Sequence, residues 1–107
     1  MIQTTTETVA GYEITAVLGL NRGNTIRARH LGKDIAATFK NMAGGEITDY
    51  TKMMAESREQ ALDRMSEEAQ LLGADAVVAI RFTTSSVMQG AAEILVYGTA
   101  VKIRPIG

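Results

Sequence analysis

The sequence predicts an α+β fold: a small antiparallel β-sheet in the order β-α-α-β-β, with one long and one short helix on one side. Three observations lead there. Residues 49–72 repeat apolar side chains at the period of a helix, two strand-like stretches follow with a glycine turn between them, and "YEITAVL" near the start alternates with a period of two.

In "YEITAVL", Tyr12, Ile14, Ala16 and Leu18 fall on one side and Glu13, Thr15 and Val17 on the other, the pattern of a half-buried strand. "GLNRGNTIRARH" follows. Gly19 and Gly23 mark a turn or bulge there, and residues 25–29 continue the strand. "LGKDIAATFKNM" reads as the short helix, with Ile35, Phe39 and Met42 on one side. Gly44 and Gly45 suit its C-terminus, where glycine enters the left-handed region without strain.

The long helix is the strongest element. At 100° per residue, Tyr50, Met54, Ala61, Met65, Ala69 and Leu72 form one stripe, with Glu56, Glu59, Asp63, Glu67 and Gln70 opposite. Thr48 or Asp49 can cap its start and Gly73 its end. Glu68 and Arg58 intrude on the apolar side. Arg64 stands four residues before Glu68, so an in-helix ion pair is available.

The last two strands are "DAVVAIRFTTSSV" and "AEILVYGTAVKI", joined at "MQGA". A turn centred on Gly90 sets Phe82 near Tyr97, Ile80 near Thr99 and Val78 near Val101. One face then carries Val78, Ile80, Phe82, Leu95, Tyr97, Val101 and Ile103. The other carries Val77, Ala79, Ile94, Val96, Gly98 and Ala100, with Arg81 and Lys102. Neither is a solvent face. One helix covers one side of such a sheet, and leaving the other wet forgoes on the order of 10 kcal/mol. A second copy of the chain is the expected cover.

Composition narrows the function. The 107 residues hold 46% hydrophobic side chains, 21% charged ones and a net charge of −1, so nothing global attracts nucleic acid or anionic lipid. There is no cysteine, which removes thiolate chemistry and disulfides. The start lacks the pattern of a signal peptide, and no apolar run approaches a membrane span. One domain over residues 1–107, in the cytoplasm, is expected, without a membrane partner.

Several stretches carry a resemblance. "GGEITDYTKMMAESREQALDRMSEEAQLLGADAVVAIRFTTSSV" with "AAEILVYGTAVKI", and "VLGLNRGNTIRARHLGKDI" upstream, resemble the YbjQ-like family over nearly the whole chain. This widespread bacterial group carries a heavy-metal-binding label and no established activity. The resemblance implies a dodecin-like subunit in an oligomeric ring, a homopentamer; the number five comes from the resemblance alone.

The metal label directs attention to His30, Asp34, Glu46 and Asp49. His30 and Asp34 stand four apart, Glu46 and Asp49 lie beside the diglycine, and a symmetric assembly would multiply the single histidine. Soft metals favour thiolate, thioether and imidazole ligands, and Met53, Met54 and Met65 lie on or beside the helix stripe, where they fill the core. A divalent metal ion is thus the one cofactor to weigh, and none is established. Arg22, Arg27, Arg29, His30 and Lys33 form a basic segment, either a grip for an anionic ligand or the charged protection of an edge strand. Without interleaved aromatics, nucleic acid is the poorer candidate. The diglycine fits no phosphate-loop spacing, and neither a nucleophile elbow nor a Cys–His pair is present. The leading expectation is a non-enzymatic homo-oligomer, a scaffold or small-ligand module. A metal-binding or sensing protein comes second, and an enzyme with a site between subunits third.

Overall fold

The computed structural model describes residues 1–28, 44–88 and 90–107, with the backbone alone at residues 28 and 44–50. Its elements are β1 (Ile2–Gln3), β2 (Tyr12–Ala28), α1 (Gly44–Leu71), β3 (Ala76–Met88) and β4 (Ala91–Pro105). They build a four-stranded sheet in the order β1-β3-β4-β2. The α+β class stands, but the sheet is mixed: β1, a strand the sequence did not suggest, pairs parallel with β3. The short helix expected at residues 31–42 lies outside the described residues.

α1 spans 28 residues, about 42 Å at 1.5 Å per residue. It begins at Gly44, five residues before the expected start, so the diglycine opens this helix, and Thr48 and Asp49 lie within it. Its end is as expected. Gly73 takes φ +78°, its N–H donates to the Gln70 carbonyl at 2.9 Å, and the Ala74 N–H donates to Ala69 at 3.0 Å. That pair of bonds is a Schellman cap, which satisfies carbonyls the helix itself cannot. No helix among the described residues is long and apolar enough to cross a membrane.

β2 runs unbroken through both glycines. Its register against β4 shifts between Ile14 and Ala16 and again between Val17 and Gly19, the latter adopting φ +128°. Each bulge turns the following side chain over, so Ile14, Val17 and Leu20 project from one face at intervals of three. The expected set Tyr12, Ile14, Ala16 and Leu18 does not share a buried side; Tyr12, Ile14 and Ala16 are exposed. Gly23 is no turn. A methyl built there would collide with the Ala61 carbonyl and lie 2.5 Å from the Met65 nitrogen, so only glycine lets α1 approach.

The β3–β4 hairpin corrects the expected register. Phe82 faces Val96, Val78 faces Thr99 and Ala76 faces Val101. The alignment drifts at two irregularities, between Ser86 and Met88 and between Val78 and Arg81. At the second, Ala79 adopts φ +54° opposite Gly98, where an added methyl would lie 2.8 Å from the Val78 carbonyl oxygen. The bulge exchanges faces: Ile80 joins Val77, and Arg81 joins Tyr97.

The core follows from this. Ala61, Met65 and Ala69 of α1 pack on Val77, Ile80, Ile94 and Val96, with Met54 and Leu62 at the margin. The polar residues foreseen opposite the stripe are exposed, as are Arg58, Glu68 and, in part, Leu72. A second cluster, Ala76, Val78 and Val101 with Ile103, lies outside the helix-facing core and is packed by Val9 of the N-terminal segment. That segment also binds the bulge, where the Ala79 N–H donates to Thr6 at 2.8 Å and the Ile80 N–H to Thr4 at 3.1 Å. Part of the second face is thus covered from within the chain.

Candidate functional site

Strand alternation divides the basic segment. Arg22 pairs across β2–β4 with Tyr97 and stands exposed on the face away from α1. Arg27 turns toward the helix, and its Nη2 donates to Gln60 Oε1 at 3.0 Å. The two therefore serve opposite sides of the sheet, and the segment is not one patch. Arg29, His30 and Lys33 lie outside the described residues.

On the helix side, α1 and β2 keep step. Two strand residues rise about 6.6 Å and one four-residue helical interval about 6 Å, so contacts recur along both. The Asn21 Nδ2 donates to the Met65 carbonyl at 3.1 Å, Gly23 lies under Ala61, and Arg27 reaches Gln60. The Arg64 Nη1 donates to the Asn24 carbonyl at 2.7 Å, so Arg64 ties helix to strand instead of pairing with Glu68. Among the described residues, Asn21 Oδ1 and Thr25 Oγ1 are buried without a partner in this interface. At its end a groove of about 520 Å³ opens between α1 and β2, where Arg27 and Lys52 meet Glu56, Glu59 and Asp63. Its mixed charges favour no single ligand class.

The second face has two halves. Toward the chain termini it is apolar: Val17 is 68% exposed and Leu20 65%, beside a partly exposed Ile14. Toward the β3–β4 turn it is polar. There a hollow of about 340 Å³ is lined by Arg22, Asn24, Glu93 and Leu95, and Asn24 Nδ2 donates to Glu93 Oε2 at 3.1 Å. Tyr97, 39% exposed, stands beside it. Sequence reasoning missed this grouping because it assigned no register between β2 and β4, and it also placed Arg81, which pairs across from Tyr97, on the opposite face. The available signal was Gly98, an isolated glycine within a strand, which marks a bulge.

Of the four candidate metal ligands, His30 and Asp34 lie outside the described residues. Glu46 and Asp49 occupy positions three apart in the opening turns of α1, and their side chains are not among those described. Among the described residues no group of three or more His, Cys, Asp or Glu side chains converges.

Comparison with known proteins agrees with the fold and sharpens the kinship. A family model described as "Putative heavy-metal-binding" matches residues 1–104. A UPF0145 protein of Thermosipho africanus is 62% identical over 104 residues, covering 97% of this chain and 96% of its own. Another, from Methanosarcina acetivorans, is 61% identical over 103 residues, covering 96% of this chain and 97% of its own; this archaeal relative extends the group beyond bacteria. Among solved structures, a DUF74-family protein of unknown function from Pediococcus pentosaceus matches with a TM-score of 0.67 and 20% identity, over 97% of this chain and 98% of that one. At that identity the likeness concerns the fold.

Proposed function

This chain belongs to the YbjQ-like family, and on that premise we propose that it is a non-enzymatic homo-oligomeric module that holds a small ligand. The observation that carries the reading is the apolar half of the second face, where Val17 is 68% and Leu20 65% exposed. Burying these with Ile14 is worth on the order of 3 kcal/mol per subunit. A contiguous apolar surface of this kind marks an interaction site. β2 adds a second support. It pairs with β4 on one side, and its other edge carries no partner strand among the described residues. A free edge of 17 residues invites continuation of the sheet by another strand, and a second copy presents one in the part of β3 beyond residue 81, which neither β1 nor the N-terminal segment pairs among the described residues. Such a β2-to-β3 contact is heterologous, so repetition closes a ring when the rotation permits. The ring has five members, the number implied by the family resemblance.

Native mass spectrometry and sedimentation velocity test this. The expected result is a closed multiple of the 11.5 kDa chain, reduced to smaller species by Leu20→Glu. A well-folded monomer at micromolar concentration would refute it. The family description supports a second reading, a metal-binding protein using His30, Asp34, Glu46 and Asp49 between subunits. Calorimetric titration with zinc, copper and nickel should then give saturable heat that His30→Ala abolishes; silence from all three removes that reading.

A further inference from the structure

The cross-strand register sets Arg22 of β2, Tyr97 of β4 and Arg81 of β3 in one row across the face away from α1. Strands lie about 4.8 Å apart, so the two arginine backbones flank the tyrosine at about 10 Å from each other. Arg81 is held in place: its Nη1 donates to the Thr5 carbonyl at 2.9 Å and to the Ile80 carbonyl at 2.8 Å. Tyr97 shows part of its ring to solvent. Arg22 makes no hydrogen bond or ion pair among the described residues, although Glu93 lines the same hollow. The Glu93 carboxylate instead accepts from Asn24 and keeps acceptor capacity toward the hollow.

We infer that this row binds a nucleoside phosphate, with the base stacked on Tyr97, the phosphate on Arg22 and a sugar hydroxyl or exocyclic amine donating to Glu93. Each part of the ligand answers a feature of the surface. A guanidinium without a partner matches a phosphate in a bidentate manner, which an ammonium would not. An exposed aromatic ring on an open sheet face accepts a base with little regard to its identity. Glu93 disfavours a bare anion close by, so a ligand that brings donors as well as charge suits the hollow better than phosphate alone. Arg81, held by the Thr5 and Ile80 carbonyls across from the ring, adds positive charge to the row. All these residues belong to one chain. The inference rests on the small-ligand part of the reading above and not on the association of copies.

The experiment is calorimetric titration of the full chain with adenosine, guanosine, cytidine and uridine monophosphates, beside adenosine and inorganic phosphate, with sedimentation of the same samples. Saturable binding of the monophosphates is expected, at least tenfold tighter than adenosine or phosphate alone. Arg22→Gln and Tyr97→Leu should each weaken it tenfold or more, while Tyr97→Phe, which keeps the ring, retains it; sedimentation should not change. No saturable heat from any monophosphate overturns the inference. So does affinity that survives both Arg22→Gln and Tyr97→Leu, and so does phosphate binding as tightly as the nucleotides. Loss of the oligomer on dilution or in Leu20→Glu bears on the assembly instead, so the two failures are distinguishable.

Discussion

At the scale of single residues, two backbone positions decide where the faces lie. Ala79 holds φ +54°, a conformation that costs an L-residue about 1–2 kcal/mol. Thr4 and Thr6 hold it by binding the backbone N–H groups of the bulge. Replacing alanine by glycine in a strand ordinarily destabilises by about 0.5–1 kcal/mol. Here the relieved strain offsets that loss, so Ala79→Gly is expected to be neutral or stabilising by up to about 1 kcal/mol, and Ala79→Val to be clearly destabilising. Urea denaturation midpoints of the two variants check the sign; a loss in Ala79→Gly would contradict it. Gly23 is the other position. The atoms an added methyl would meet are backbone atoms of α1, which cannot swing aside. Gly23→Ala must push the helix off the sheet, at a cost of about 1–3 kcal/mol. The same denaturation series, with Gly11→Ala as a comparison at an open, positive-φ site, separates crowding from backbone strain.

Among the elements, α1 was legible because its signal is redundant. The period of the stripe, the acidic residues opposite it and the glycine cap all give the same answer, and Ala61, Met65 and Ala69 are fully buried as read. Its start was not legible. Glycine is a poor helix former, and nothing local announces that Gly44 and Gly45 open a helix here. The strands were recognised as strands, but their registers were not, because a bulge leaves little trace in composition. Alanine at 79 and threonine at 15 are ordinary strand residues, yet the irregularities beside them turn over every side chain that follows. That is why Arg22, Tyr97 and Arg81 were not seen as one row. The helix itself packs with few large side chains. Met65 is the one large residue among the four described residues that α1 buries fully, beside Ser57, Ala61 and Ala69, so Met65→Ala should destabilise by about 2–5 kcal/mol. Leu62→Ala, at the margin of the cluster, should cost visibly less. Equal losses in guanidinium titrations would mean that the helix is held along another face.

For the molecule as a whole, shape and surface argue in the same direction. A compact chain of this length has a radius of gyration near 13 Å. This one has 17.6 Å, with extents of 59 × 23 × 16 Å. Its accessible surface of 6720 Å² exceeds by about 900 Å² the roughly 5,800 Å² scaled for a compact monomer of 11.5 kDa. That excess is close to the ~800 Å² each partner contributes to a stable protein–protein interface. Among the described residues the molecule is a thin slab, one helix deep on one side of its sheet, with little interior for its length, and the N-terminal segment closes the patch over Val78 and Val101. Association then becomes part of the folding free energy, and mass action makes the thermal midpoint depend on protein concentration. Calorimetric scans over a hundredfold range of concentration should show the midpoint rising with concentration. In Leu20→Ser and Val17→Ser the midpoint should fall, because each removes apolar surface from the contact. The lone chain loses little from either change, as both side chains are more than 60% exposed within it. A midpoint independent of concentration, unchanged by both substitutions, would mean that the slab is stable alone and that its apolar half serves no second copy.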